Sequence, residues 1–221
     1  MAEILSNNKR IAKNTLMLYI RMGLSTVVSL YTSRVVLQTL GVEDYGIYGV
    51  VGGIVAMFSF LNSTMAGATS RFLTFEMGKG DKERLKDTFS SALIIHIGIA
   101  LLVLILAETV GLWFLNNKLV IPEGRMGAAH WVYQCSILAT IFAITQVPYN
   151  ALIISHERMG IYAYIEILSV CLRLLIVFLL PILNIDKLKL YAVLVLTVSI
   201  IIRMIYRIYC MRNFSESHFY F

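Results

Sequence analysis

Residues Ser33–Gly53 read SRVVLQTLGVEDYGIYGVVGG. Arg34 stands inside an apolar run that breaks at Leu40-Gly41, turns through Val42, Glu43 and Asp44, and restarts at Tyr45-Gly46. A soluble core does not hold a lone arginine in this way. A membrane span can, although an arginine at depth in lipid is costly and tied to a purpose. The stretch therefore reads as the end of one span, a tight turn and the start of another.

The rest of the chain agrees with a membrane reading. Of 221 residues, 58% are hydrophobic and 14% charged, against about 25% charged in soluble domains. The mean hydropathy is +0.77, and several apolar runs approach or exceed the roughly 20 residues that cross a bilayer as a helix. The N-terminal MAEILSNNKRIAKNTLML carries basic residues ahead of an apolar run. That run is too long for a signal peptide and no small-residue cleavage site follows, so the segment reads as a retained helix. Cys135, Cys171 and Cys210 lie in or beside apolar runs without metal-ligand spacing, and an odd count argues against a disulfide framework. They read as small apolar residues; no metal and no cofactor is expected.

Six spans are expected, at about 14–40, 46–72, 88–115, 127–155, 159–183 and 189–211. The gaps are Gly41 to Asp44, GKGDKERLKD, NNKLVIPEG, HERMG, and Pro181 with NIDK. Apart from five arginines set within the spans, ten lysines and arginines at or near the span ends fall on one side and four, Lys118, Arg125, Lys187 and Lys189, on the other. The positive-inside rule then puts both termini in the cytoplasm and the LGVEDYG turn outside. The same bracketing accounts for the net charge of +6 without a nucleic-acid partner. KGDKERLKDTF reads as a charged, solvated helical connector that fixes topology and runs into the third span.

Five arginines lie within spans: Arg21, Arg34, Arg71, Arg173 and Arg203. Arg203, close to Arg207 and a span end, reads as snorkelling to the interface. Arg21 and Arg34 divide evenly between snorkelling and a functional role. Arg71 follows NSTMAGATS, whose small residues suit close helix packing; its hydroxyls, Asn62 and Arg71 also suit a hydrated cavity. Arg173 lies 14 residues after Met159 and eight before Pro181, too deep to snorkel comfortably. Glu166, seven residues earlier, shares its helix face, because seven steps of about 100° make nearly two turns. Arg173 is expected to face a cavity or a partner helix, the alternative being a structural ion pair with a neighbouring span.

Buried acids are few. Glu108 and Glu166 are the candidates for coupling to a proton or sodium ion. His96 reads as a packing residue, and Pro148 as a bend in the fourth span. His156 and Glu157 in SHERMG are adjacent and point about 100° apart on a helix, which does not make a catalytic pair.

Taken in order, three stretches carry a family resemblance: SRVVLQTLGVEDYGIYGVVGG, SRFLTFEMGKGDKERLKDTFSSAL and VPYNALIISHERMGIYAYIEIL. With the basic N-terminus they make the chain resemble a bacterial polysaccharide or O-antigen flippase. These are Wzx-type lipopolysaccharide biosynthesis proteins of the multidrug/oligosaccharidyl-lipid/polysaccharide exporter superfamily. The resemblance runs over nearly the whole chain. It implies an all-α integral membrane protein of the bacterial inner membrane whose substrate is an oligosaccharide on polyprenyl pyrophosphate. It implies alternating access between two six-helix lobes, a cationic cavity between them, and no enzymatic step. Arg21, Arg34, Arg71 and Arg173 are the substrate-binding candidates on that reading, since arginine stays charged and forks onto phosphate oxygens. Arg34 either lines that path or anchors its helix before Gly41.

The family's members have two lobes, whereas six spans make one. The chain is thus expected to be the N-terminal lobe, with the C-terminal lobe absent and supplied, if at all, by another segment, a second chain or other polysaccharide-assembly proteins. Membrane lipids are its further partners. The competing readings are a cation-coupled multidrug exporter of the same superfamily, an inactive truncated half, and a membrane-embedded glycan enzyme. The first would want carboxylates where this sequence offers arginines, and the last needs an acid–base or nucleophile–base set that is not legible here.

Overall fold

The computed structural model describes residues 2–122, 124–182 and 185–217, with the side chains of residues 2–11, 13 and 59–63 outside the description. Lys9, Arg10 and Lys13 of the basic N-terminus, Asn62, and the C-terminal residues 218–221 therefore fall outside it. Among the described residues the chain is helical without strands, in the order α1 (Ala2–Lys79), α2 (Lys82–Leu106), a π turn (Ala107–Gly111), α3 (Leu112–Asn117), α4 (Met126–Ser155), α5 (Met159–Leu179), α6 (Lys187–Asn213) and a 3-10 turn (Ser215–Ser217). Five of these stretches are long and apolar enough to cross a membrane.

Five such stretches stand where six spans are expected because the first two follow each other without a loop, as two helical arms of α1 joined at Gly41. The expected turn through Val42, Glu43 and Asp44 is helical, and Gly41 alone leaves helical geometry, at φ 81° and ψ 169°. A residue with a Cβ meets a penalty at that φ, which glycine does not. One residue suffices to reverse the chain, so no loop is needed. A straight helix of 78 residues would run about 117 Å, far beyond a hydrocarbon core of about 30 Å. The arm of residues 2–40 and the arm of residues 42–79 instead run in opposite directions. Arg21 meets Tyr162 near the start of α5, whereas the carbonyl of Thr39 meets Lys187 at the start of α6. Leu73, late in the second arm, lies back among Leu85, Leu152 and Tyr206.

The other boundaries follow local chemistry. Asp81 caps α2, its carboxylate accepting from the amides of Glu83 and Arg84 at 3.1 Å each. The charged connector is thus the first two turns of α2. Asp186 caps α6 in the same way, through Leu188 and Lys189. The third span runs from Lys82 to Asn117 and contains a π turn with a visible cause. Tyr133 of α4 donates its hydroxyl to the carbonyl of Ala107 at 2.8 Å, and that carbonyl also accepts the amide of Leu112, five residues on. A Cβ at Gly111 would stand 1.9 Å from the Tyr133 oxygen, so only glycine admits the ring there. α4 is the axle of the bundle, packing against α1, α2, α5 and α6, with Ile47, Val51, Val55 and Leu73 of the second arm of α1 among its buried neighbours. Pro148 lies buried inside it without ending the helix.

Candidate functional site

A cavity of about 380 Å³ opens between the first arm of α1, the start of its second arm, α5 and α6. The first arm contributes Ser25, Ser29, Thr32 and Ser33, which recur at helical spacing and so form one polar stripe, together with Val28 and Val36. Tyr45, Tyr48 and Gly49 close it just past the Gly41 reversal, and Tyr191 faces them from α6. Tyr48 and Tyr191 meet edge to face, with centroids 4.8 Å apart. α5 supplies Glu166, Ser169 and Arg173.

The two charged residues of this cavity differ in their company. Arg173 makes no hydrogen bond or ion pair with any described residue, and its side chain is exposed within the cleft. Glu166 accepts a hydrogen bond from the Tyr206 hydroxyl at 3.0 Å. Seven residues of helix separate the two by about 10 Å of rise, so they do not pair.

The remaining sequence candidates lie elsewhere. Arg21 sits below the cavity, donating to the Tyr162 hydroxyl at 2.9 Å with its guanidinium 4.9 Å from that ring's centre. Arg34 is exposed on the first arm and does not line the cavity, and Arg71 lies on an open surface beside Gly67 and Thr74. Glu108 sits in the π turn of the third span, 3.2 Å from the Gln134 amide and far from Glu166 in the fold. Of the four arginines and two acids singled out, the cavity brings together Arg173 and Glu166. Arg203, expected to snorkel, instead donates to Thr145 of α4 at 2.7 Å. His96 is buried, with one ring nitrogen on the Ala92 carbonyl at 2.7 Å and the other without a partner.

Two groups of functional interest escaped the sequence reading. The hydroxyl stripe was legible, as Ser25, Ser29, Thr32 and Ser33 recur at intervals of three and four in an otherwise apolar run. The second is an ion cluster at the end where α1 reverses. Arg125, before α4, holds Asp44 through two nitrogens and donates to Asp186 at 3.1 Å. Its hydrogen bonds to Asp44, and then the nearby charges of both acids, push the guanidinium further above its ordinary range against the cost of burial. One arginine thereby joins the reversal of α1, the entry to α4 and the cap of α6.

No family model matches the chain, and no solved structure does. Among curated proteins, it is similar to one from Bacillus subtilis (strain 168) described as uncharacterized membrane protein EpsK. The two are 22% identical over 157 residues, which cover 71% of this chain and 31% of that protein. The matched region thus spans about a third of the relative's length. Together with five helices able to cross a bilayer, the similarity makes this chain a multi-pass membrane protein.

Proposed function

We propose that the chain belongs to a transporter that carries a polyprenyl-pyrophosphate-linked oligosaccharide across the bacterial inner membrane for polysaccharide or O-antigen assembly. It moves its substrate without altering it, and it works as one lobe whose cavity closes against a second. The end that carries Lys79, Lys82, Arg158 and Arg212 faces the cytoplasm, as the distribution of basic residues requires.

The observation that supports this reading is Arg173. It stands about 21 Å of helix rise from the start of α5 and about 9 Å from its end, facing the cavity. A guanidinium within a span and without a protein counter-ion is costly, and a substrate that brings the missing anion removes the cost. Phosphate oxygens match its fork of donors. The hydroxyls around it suit the sugars attached to such a phosphate. At about 380 Å³ the cavity is within the range of small-ligand pockets, so it accommodates the head of the substrate and leaves the polyprenyl chain in lipid.

The test is Arg173→Ala in the native host, read as surface polysaccharide and as membrane-inserted protein. A charge-assisted contact contributes about 1.5–3 kcal/mol, so surface glycan should fall at least about tenfold while the protein level holds. Unchanged glycan in that variant would remove the reading.

A further inference from the structure

We propose that Glu166 is a second contact in this cavity, accepting sugar hydroxyls and so fixing which way round a glycosyl phosphate sits. The inference rests on the reading of Arg173 as the phosphate contact and adds a ligand class and an orientation to it.

Arg173 and Glu166 share one face of α5 and both line the cavity, about 10 Å apart along the helix. That separation gives the cavity a polar axis: a cation beside Tyr48 and Tyr191, and a carboxylate two turns nearer the start of α5. A phosphate at the Glu166 end would meet repulsion, and at the Arg173 end a matching donor fork. The sugar portion therefore points toward Glu166. The carboxylate is prepared for this contact. Oε1 is fixed by the Tyr206 hydroxyl, whereas Oε2 has no partner and is not sealed off from the cavity. Ser169 lies one turn from each charged residue, and Thr32, whose buried hydroxyl oxygen has no partner, lines the same cavity from the first arm. A ligand with an anion at one end and hydroxyls along its length fits this order; bare phosphate engages only one end.

A carboxylate that accepts hydroxyls differs from one that binds an ammonium group in a testable way. Glu166→Gln keeps an acceptor oxygen and loses the charge. The full chain in lipid nanodiscs is titrated calorimetrically with inorganic phosphate and with glucose 1-phosphate, each variant first checked for an unchanged unfolding midpoint. Glucose 1-phosphate should bind at least about tenfold tighter than phosphate. Glu166→Ala should abolish that advantage and leave phosphate affinity within about twofold, since the phosphate does not touch it. Glu166→Gln should retain most of the advantage. Tyr206→Phe, which frees the carboxylate to rotate, should lose part of it.

Equal weakening of both probes by Glu166→Ala, or of neither, overturns the second contact. An effect of Glu166→Gln as large as that of Glu166→Ala overturns hydroxyl recognition in favour of a charge contact. Phosphate affinity that survives Arg173→Ala, or failure of the unsubstituted chain to bind either probe, strikes the underlying reading of the cavity instead.

Discussion

α4 and the first arm of α1 are both largely apolar helices, and they do opposite work. Half of the most apolar stretch of α4 is buried, whereas Val36 is the one buried residue among the described side chains of the first arm. α4 buries Val132, Tyr133, Ile144, Leu152 and Ile153 against its neighbours. The first arm leaves Tyr19, Val27 and Leu30 at least half exposed and turns its serines and Thr32 toward the cavity. In lipid an exposed leucine costs nothing, so the first arm needs no apolar partner. Its polar stripe is then the informative face. In α4 the informative face is the packed one, and what it supplies is a fixed frame.

The largest expected effect sets these helices against each other. Leu152→Ala removes a fully buried side chain from the cluster that joins α1, α2, α4, α5 and α6, and should cost about 2–4 kcal/mol. Leu30→Ala, at a position 69% exposed, should stay within about 0.5 kcal/mol. Unfolding midpoints of both variants in one detergent measure the contrast. A Leu30→Ala loss equal to that of Leu152→Ala would mean that the first arm is packed rather than lipid-facing.

The next effect concerns the hold of α4 on the third span. Gly111→Ala places a methyl group 1.9 Å from the Tyr133 hydroxyl, and the ring or the π turn has to move, at about 1–3 kcal/mol. Tyr133→Phe alone loses one hydrogen bond, about 1 kcal/mol. Combined, the two should cost less than their sum, because the clashing oxygen is gone while the ring carbon behind it stays 3.1 Å from the new methyl. Strict additivity in the same unfolding assay would show that the hydroxyl does not shape the π turn.

How far the sequence disclosed this frame depends on which residues carry it. Hydropathy runs and basic flanks identify an all-α membrane protein, because lipid imposes them on every span alike. They do not reveal that Gly41 reverses the chain by itself, since Val42, Glu43 and Asp44 look like turn residues and are helical. Arg173 and Glu166 were legible as residues of one face, which follows from helix periodicity. Arg21, Arg34 and Arg71 share the charge of Arg173 but not its position. What separates them is which helix lies opposite, and that depends on packing between segments far apart in sequence. The Arg125 cluster was hidden for the same reason, as its partners lie 81 and 61 residues away.

The smallest expected effect lies at the far end of α4. His156, which follows the last residue of α4, stacks on Phe214 with centroids 4.1 Å apart, and its Nε2 lies 2.6 Å from Glu216. The turn after α6 is thereby tied to the frame. Burial pushes the Glu216 carboxyl up, but its own backbone amide, His156 and Ser215 together bring it below its ordinary value of 4.5. A carboxyl lowered by folding contributes stability above its unfolded value, and that contribution fades as pH falls through the folded one. The docking of Phe214–Ser217 should therefore hold at full strength above about pH 4.5 and weaken on further acidification, by about 1 kcal/mol or less for one partly screened pair. Hydrogen exchange of these amides, corrected for its intrinsic pH dependence, measures this directly. Glu216→Gln should lower protection at neutral pH and remove its pH dependence. Protection that is the same at pH 7 and at pH 3 in the unsubstituted chain would assign the docking to the Phe214 stack alone, and would leave the frame of α4 independent of charge at this end.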